Sequence, residues 1–306
     1  MKAAIDIGTN TVLLLIAEVN DGNINVIREE QRIPRLGKGV DNTKLLHRDS
    51  MERVLQSLRD FKEIIESEYP EVEEVIVTAT SAVRDAENRD TFIKKVKDET
   101  GYEVRLLSGD EEAQYTFLGA LSVLELDANH NAFVLDIGGG STELALGNVE
   151  GLEQYHSFDM GSVRFKERFL LHNPPYQEEI FECNDEIKYL FGKTKFKPAK
   201  NVTAIGVAGT ATSLAAIDIQ LDEYENERLN GHIIDREKLS KSIEIFSLHT
   251  YDQLLELSPK LLKGREDIFL TGLLILEGFM KFYDIPEIKV STGGIRHGAM
   301  LLAEKD

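Results

Sequence analysis

Apolar and polar positions alternate between short strand-like runs and longer helical stretches. Residues 2–19 read as two strands around a tight polar turn: Ala3-Ala4-Ile5 leads into Asp6-Ile7-Gly8-Thr9-Asn10-Thr11, and an apolar run from Val12 leads out. Branched apolar runs flanking a Gly/Asn turn predict a hairpin. The layout recurs at 131–149, where Ala132-Phe133-Val134-Leu135 enters, Asp136-Ile137-Gly138-Gly139-Gly140-Ser141-Thr142 turns, and 143–146 leaves. Two copies of strand, Asp-Ile-Gly, small polar residues and strand are an internal repeat. They predict two similar domains facing each other across a cleft.

Between and beyond the hairpins the pattern predicts helices at 49–67, 88–100, 110–124, 177–191 and near 163–171. It predicts strands at 74–79, 102–107, 201–207 and 288–291. Strands alternating with helices imply βαβ units and a mainly parallel sheet. Helical spacing dominates from Arg236 to Tyr283, and a closing helix starts near Ile295. That helix is expected to return to the first domain, giving 1–117 with 292–306 as one domain and 118–291 as the other.

With 306 residues, 42% apolar and 29% charged, the composition is that of a soluble globular chain of two domains. The sole cysteine, Cys183, can form no intrachain disulfide, which fits a reducing cytoplasm. Asp6, Thr9 and Asn10 break the N-terminal apolar run too early for a signal peptide. No stretch approaches the roughly 20 apolar residues of a spanning helix, so no membrane partner is expected. The apolar segment 269–276 predicts a buried helix. A net charge of −19 opposes nucleic-acid binding. It also repels a phosphorylated substrate, so a phosphate site needs local relief from a cation, backbone N–H groups and a few basic side chains. Lys188, Lys193, Lys195, Lys197 and Lys200 read first as a solvated basic loop, with a phosphate track as the alternative.

In Asp136-Ile-Gly-Gly-Gly-Ser-Thr-Glu143, three glycines permit close backbone approach to a ligand, and their N–H groups can form an anion nest. Ser141 and Thr142 add hydroxyls. Asp136 and Glu143 supply hard carboxylate oxygens suited to Mg²⁺ or another divalent cation, and Asp6 occupies the matching place in the first repeat. A tight turn with solvated acids is the bland alternative. The first hairpin substitutes Thr9, Asn10 and Thr11 as donors. A third glycine turn, Gly209-Thr210-Ala-Thr212, follows a strand and opens a helix, where an anion can sit. Ser108-Gly-Asp-Glu111-Glu112 begins another helix. Its acids either complement the helix dipole or include a base for an attacking water. Arg84, after the strand at 74–79, is a phosphate clamp or a surface ion-pair residue.

These motifs, together with Thr80-Ser-Ala-Val-Arg-Asp-Ala-Glu-Asn and Ser291-Thr-Gly-Gly-Ile-Arg, resemble the exopolyphosphatase/guanosine pentaphosphate phosphatase family over essentially the whole chain. The resemblance implies an α/β fold of two ribonuclease-H-like domains of the actin-like ATPase superfamily flanking an interdomain cleft. It implies a processive hydrolase that releases orthophosphate from polyphosphate ends or converts pppGpp to ppGpp. It assigns Glu112 as catalytic base, and Asp136 and Glu143 to the metal and reacting phosphate. Thr9, Asn10, Arg84, Gly138, Gly139, Ser141 and Gly209 take phosphate-contacting positions. His297 stands where the family often has Glu, with no mechanism attached. The chain resembles the short two-domain form, which argues against a long polyphosphate channel; a homodimer is left open. An actin-like kinase and a non-catalytic polyphosphate or pppGpp sensor are the rival readings.

Overall fold

The computed structural model describes residues 1–126, 131–198 and 202–304. The chain divides into two units, Met1–Ser122 with Gly293–Asp306, and Val123–Thr292. In the first lie β1 (Lys2–Ile7), β2 (Val12–Asn20), β3 (Asn23–Arg32), α1 (Val40–Thr43), α2 (Arg48–Glu68), β4 (Glu74–Ala79), α3 (Ser81–Arg84), α4 (Arg89–Thr100), β5 (Val104–Leu106) and α5 (Gly109–Ser122). The second opens with β6 (Asn131–Ile137), β7 (Thr142–Asn148), β8 (Gly151–Phe158), α6 (Ser162–Phe169), α7 (Gln177–Phe191), β9 (Val202–Val207) and α8 (Ala208–Asp218). It continues through α9 (Asn226–Leu229), β10 (Ile233–Asp235), α10 (Arg236–Leu248), α11 (Tyr251–Leu257), α12 (Pro259–Leu262), α13 (Phe269–Phe282) and β11 (Glu287–Val290). The closing helix α14 (Ile295–Ala303) belongs to the first unit.

The first unit carries a five-stranded sheet in the order β3-β2-β1-β4-β5, and the second a six-stranded sheet in the order β10-β11-β9-β6-β7-β8. Leaving β10 aside, the two orders correspond strand for strand. The expectation of a mainly parallel sheet is corrected. β1, β4 and β5 pair in parallel, as do β6, β9 and β11, but β1-β2-β3 and β6-β7-β8 are antiparallel meanders. Each predicted hairpin is thus two strands of three. The third strands, β3 and β8, escape the hydrophobic pattern because they lie at sheet edges. β3 carries Arg28, Glu29, Glu30 and Arg32, the kind of charge that blocks edge-to-edge pairing.

In the first unit α2 buries Met51, Val54, Leu55, Leu58, Phe61 and Ile65, a stripe at three- and four-residue spacing, in a core with Ile5, Ile7, Leu14 and α4 residues Phe92 and Val96. The opposite sheet face is covered by α14, whose Met300 meets Ala4, Leu15 and Ala17. Helices α5 and α14 approach unusually closely: a Cβ on Gly119 would lie 2.0 Å from the Gly294 carbonyl oxygen, and one on Gly298 would lie 2.0 Å from that of Tyr115. In the second unit α13 is buried on nearly every side, as its apolar run predicts, and shares a core with Phe133, Leu135, Phe165, Cys183 and Phe191. No helix among the described residues is long and apolar enough to cross a membrane.

Candidate functional site

In the first unit, the β1–β2 turn is closed by Gly8 N–H donating to the Thr11 carbonyl at 2.9 Å. The segment after β3 grips this turn from one side: Arg35 N–H donates to the Asn10 carbonyl and Gly37 N–H to that of Thr9, at 3.1 and 2.8 Å. Thr9 and Asn10 are buried, and Thr9 Oγ1 shares a hydrogen bond with Ser81 Oγ at 2.9 Å, tying the turn to the start of α3. Asp6, at the end of β1, accepts from Thr78 Oγ1 at 3.3 Å. The residue opposite Asp6 on β2 is Leu13, so this repeat has no second carboxylate there.

Arg84 ends α3. Its Nη1 donates to the Leu107 carbonyl at 3.0 Å and forms a short ion pair with Glu112. The Glu112 carboxylate is buried on α5. Its neighbour Glu111 faces solvent and caps the helix. Ser108 N–H and Oγ each donate to Glu111 Oε2 at 2.9 Å, and Glu111 N–H returns to Ser108 Oγ at 3.2 Å, a capping box. The Ser108 amide, then the Arg105 guanidinium, hold Glu111 below the usual carboxylate range. The tandem acids therefore divide: Glu111 serves the helix end, and Glu112 points inward with an arginine.

In the second unit the β6–β7 turn repeats the first, with Gly138 N–H donating to the Ser141 carbonyl at 3.0 Å. Asp136 and Glu143 lie directly opposite each other in the β6–β7 register, so both side chains share one sheet face. They are 8% and 3% exposed, which places two buried acids within reach of one another. Glu143 Oε1 accepts from Ser157 Oγ of β8 at 2.7 Å. Like carboxylates opposed in a buried setting repel, and the donor set fits a hard cation. Among the described residues no group of three or more His, Cys, Asp or Glu side chains gathers as a metal cluster.

The third glycine turn begins α8 directly, at Ala208, which holds a left-handed φ of 61°. The Arg265 guanidinium lies on Gly209, occupying the space a Cβ would need, with Nη1 at 1.4 Å from that position. Thr210 is buried and packs its side chain against Gly272 of α13. Arg265 and Arg164 were invisible to sequence reasoning as site residues, because a lone arginine far from a motif carries no signal. The Nε of buried Arg164 donates to the Gly140 carbonyl at 2.6 Å. Of the lysine track, Lys188, Lys193, Lys195 and Lys197 are exposed, with Lys193 over the Tyr189 ring at 4.1 Å; Lys200 lies outside the described residues. His297 is buried on α14, its Nδ1 has no hydrogen-bond partner among the described residues, and burial pushes its pKa down to about 3.

The doubled β3-β2-β1-β4-β5 arrangement defines the class: an α/β protein of the ribonuclease-H-like, actin-like ATPase superfamily. Within it, the chain belongs to the Ppx/GppA phosphatase family, whose model matches residues 15–305. It is 35% identical over 310 residues to a bifunctional 3-dehydroquinate synthase/phosphatase of Fusobacterium nucleatum, spanning 98% of this chain but only 46% of that protein. It is 32% identical over 291 residues to exopolyphosphatase 2 of Mycobacterium tuberculosis, covering 90% of this chain and 88% of the relative. The crystal structure of the Aquifex aeolicus family member superposes with a TM-score of 0.83 at 28% identity, covering 99% of this chain and 97% of that one.

Proposed function

We propose that this chain hydrolyses the terminal phosphoanhydride bond of inorganic polyphosphate and releases orthophosphate. The observation that carries this reading is the buried Glu112 carboxylate, separated from the capping role of Glu111 and held by Arg84, in a chain of a phosphatase family. A carboxylate so placed can take a proton from water. In the reaction a water oxygen bonds to the terminal phosphorus, the bridging P–O bond breaks, and the water proton passes to Glu112. The turn amides and Arg84 bind phosphate oxygens and stabilise their charge. Thr9, Asn10, Gly138, Gly139, Ser141, Gly209 and Thr210 complete the phosphate-contacting set in this reading.

Asp136 and Glu143 would hold a divalent cation such as Mg²⁺, and Asp6 is the metal-ligand candidate at the equivalent place of the first unit; when bound, the cation would neutralise phosphate charge. The cytoplasmic setting expected from the lone cysteine belongs to the same proposal. Guanosine pentaphosphate is the alternative substrate, through the same anhydride chemistry. The test is phosphate release from polyphosphate and from pppGpp, with and without Mg²⁺ and without ATP. Release from polyphosphate supports the reading. A strict need for ATP and an acceptor would make the chain a kinase, and tight binding without turnover would make it a sensor.

A further inference from the structure

Three successive carbonyls of the second glycine turn are held from one side by the start of α6. Ser162 N–H donates to the Gly138 carbonyl at 2.9 Å, and Ser162 Oγ to the same oxygen at 3.2 Å. The Gly139 carbonyl accepts from the N–H groups of Val163 and Arg164 at 2.8 and 3.1 Å. Among the described residues the Gly140 carbonyl has only a side chain to hold it: Arg164 Nε at 2.6 Å. The approach depends on Gly161, whose Cβ would fall 2.5 Å from the carbonyl carbon and oxygen of Gly139.

In a trans peptide the carbonyl of one residue and the N–H of the next point in opposite directions. Fixing the carbonyls of 138, 139 and 140 toward α6 therefore turns the N–H groups of Gly139, Gly140 and Ser141 to the other side. Among the described residues these three amides donate to no acceptor within the protein. Three adjacent amides turned away from α6 form an anion nest. The peptide joining Gly140 to Ser141 depends on Arg164, since no backbone group holds its carbonyl. A turn of three glycines has little preference of its own for this arrangement.

We infer that Arg164 is a positioning residue for phosphate recognition: its buried guanidinium orients the Gly140–Ser141 peptide, so that the Ser141 amide is aimed at the substrate before binding. The inference rests on the proposed phosphatase reading. Its role is distinct from that of Arg84, which binds phosphate directly in that reading. Because the residue acts on an anion-binding turn and not on the proton acceptor, its loss weakens substrate binding more than turnover.

The experiment compares Arg164→Ala, Arg164→Lys and, as a charge control on the same helix, Lys166→Ala. Melting temperature and Mg²⁺-dependent phosphate release from sodium polyphosphate are measured for each. A charged hydrogen bond of this kind predicts that Arg164→Ala raises KM about tenfold or more, with kcat within about threefold of wild type. Arg164→Lys, which keeps a donor but not the fork, falls between, and Lys166→Ala stays within about twofold. A KM for Arg164→Ala within about twofold of wild type, or a fall in kcat at unchanged KM, overturns the inference. If Arg164→Ala does not fold, Arg164→Lys decides: KM raised about threefold or more supports the inference, and an unchanged KM overturns it. Should the wild type release no phosphate, the phosphatase reading fails separately. Orthophosphate titration followed through the amide signals of Gly139, Gly140 and Ser141 then decides on Arg164. Shifts in the wild type that weaken in Arg164→Lys support its role, and identical or absent responses overturn it.

Discussion

Glu112 owes its place to helix α5, and α5 is seated on α14 through a close backbone approach beside the packing of Tyr115 on Ala299. A Cβ on Gly119 would meet Gly294 O at 2.0 Å, C at 2.8 Å and N at 2.9 Å, where ordinary contact begins near 3.4 Å. The shortfall of 3.4 − 2.0 = 1.4 Å cannot be relieved by a rotamer change, so in Gly119→Ala the helices must part by about that much. Overpacking of this kind costs about 1–3 kcal/mol. At about 2–4 °C per kcal/mol, the melting temperature falls by about 2–12 °C. Glu112 lies seven residues up the same helix, about 10 Å along its axis. A displacement of about 1 Å at a reacting group can cost about a hundredfold in rate, so kcat for phosphate release falls by about tenfold to a hundredfold. Gly294→Ala is the contrasting variant. Its Cβ meets nothing within 4 Å and its φ of −163° is open to any residue. Thermal melts and phosphate-release assays on both variants check the reasoning. It is refuted if Gly119→Ala matches wild type, or if Gly294→Ala is as damaged as Gly119→Ala.

Arg84→Lys cannot bridge the Leu107 carbonyl and Glu112 as the guanidinium does, and kcat is expected to fall about tenfold or more while the melting temperature stays within a few degrees. Asp136→Asn removes one of two opposed carboxylates. Mg²⁺ should raise the melting temperature of the wild type and not of this variant, and without metal the variant should melt no lower than wild type. His297 gives a pH prediction. Its folded pKa of about 3 lies below the ordinary value near 6.5, so between those pH values the unfolded chain binds a proton that the folded chain does not. Stability is unaffected by this group above about pH 6.5 and declines as pH falls below it, by up to about 1.4 kcal/mol per pH unit. His297→Leu should flatten that part of the acid-stability curve measured by denaturant titration.

The repeat around Asp6 and Asp136 was legible because both turns join strands whose apolar runs stand out, and the structure gives them the same closing hydrogen bond. Helix α7 and strand β4 match their patterns residue for residue: α7 buries Cys183, Ile187 and Phe191 at four-residue spacing, and β4 is an apolar run inside its sheet. β3, β8 and β10 were not legible: the edge strands β3 and β8 are largely polar, with no apolar run to detect, and β10 has only three residues. Within the site, the Ser108–Glu111 cap was written in the sequence as a Ser-x-x-Glu box, and reading it as such separates Glu111 from Glu112. The pairing of Asp136 with Glu143 follows from a four-residue turn between strands in register. Arg164 and Arg265 could not be read, because their relation to Gly140 and Gly209 exists only through tertiary packing.

Glu112→Gln keeps the size of the side chain and a hydrogen-bonding oxygen for Arg84 but removes the proton acceptor. Initial rates of orthophosphate release from polyphosphate in Mg²⁺, measured for wild type and this variant at matched folding, test the base directly. The expected result is rapid release by the wild type and a loss of about a hundredfold or more in kcat for the variant, with KM little changed. Release by Glu112→Gln at a rate close to wild type would contradict the assignment.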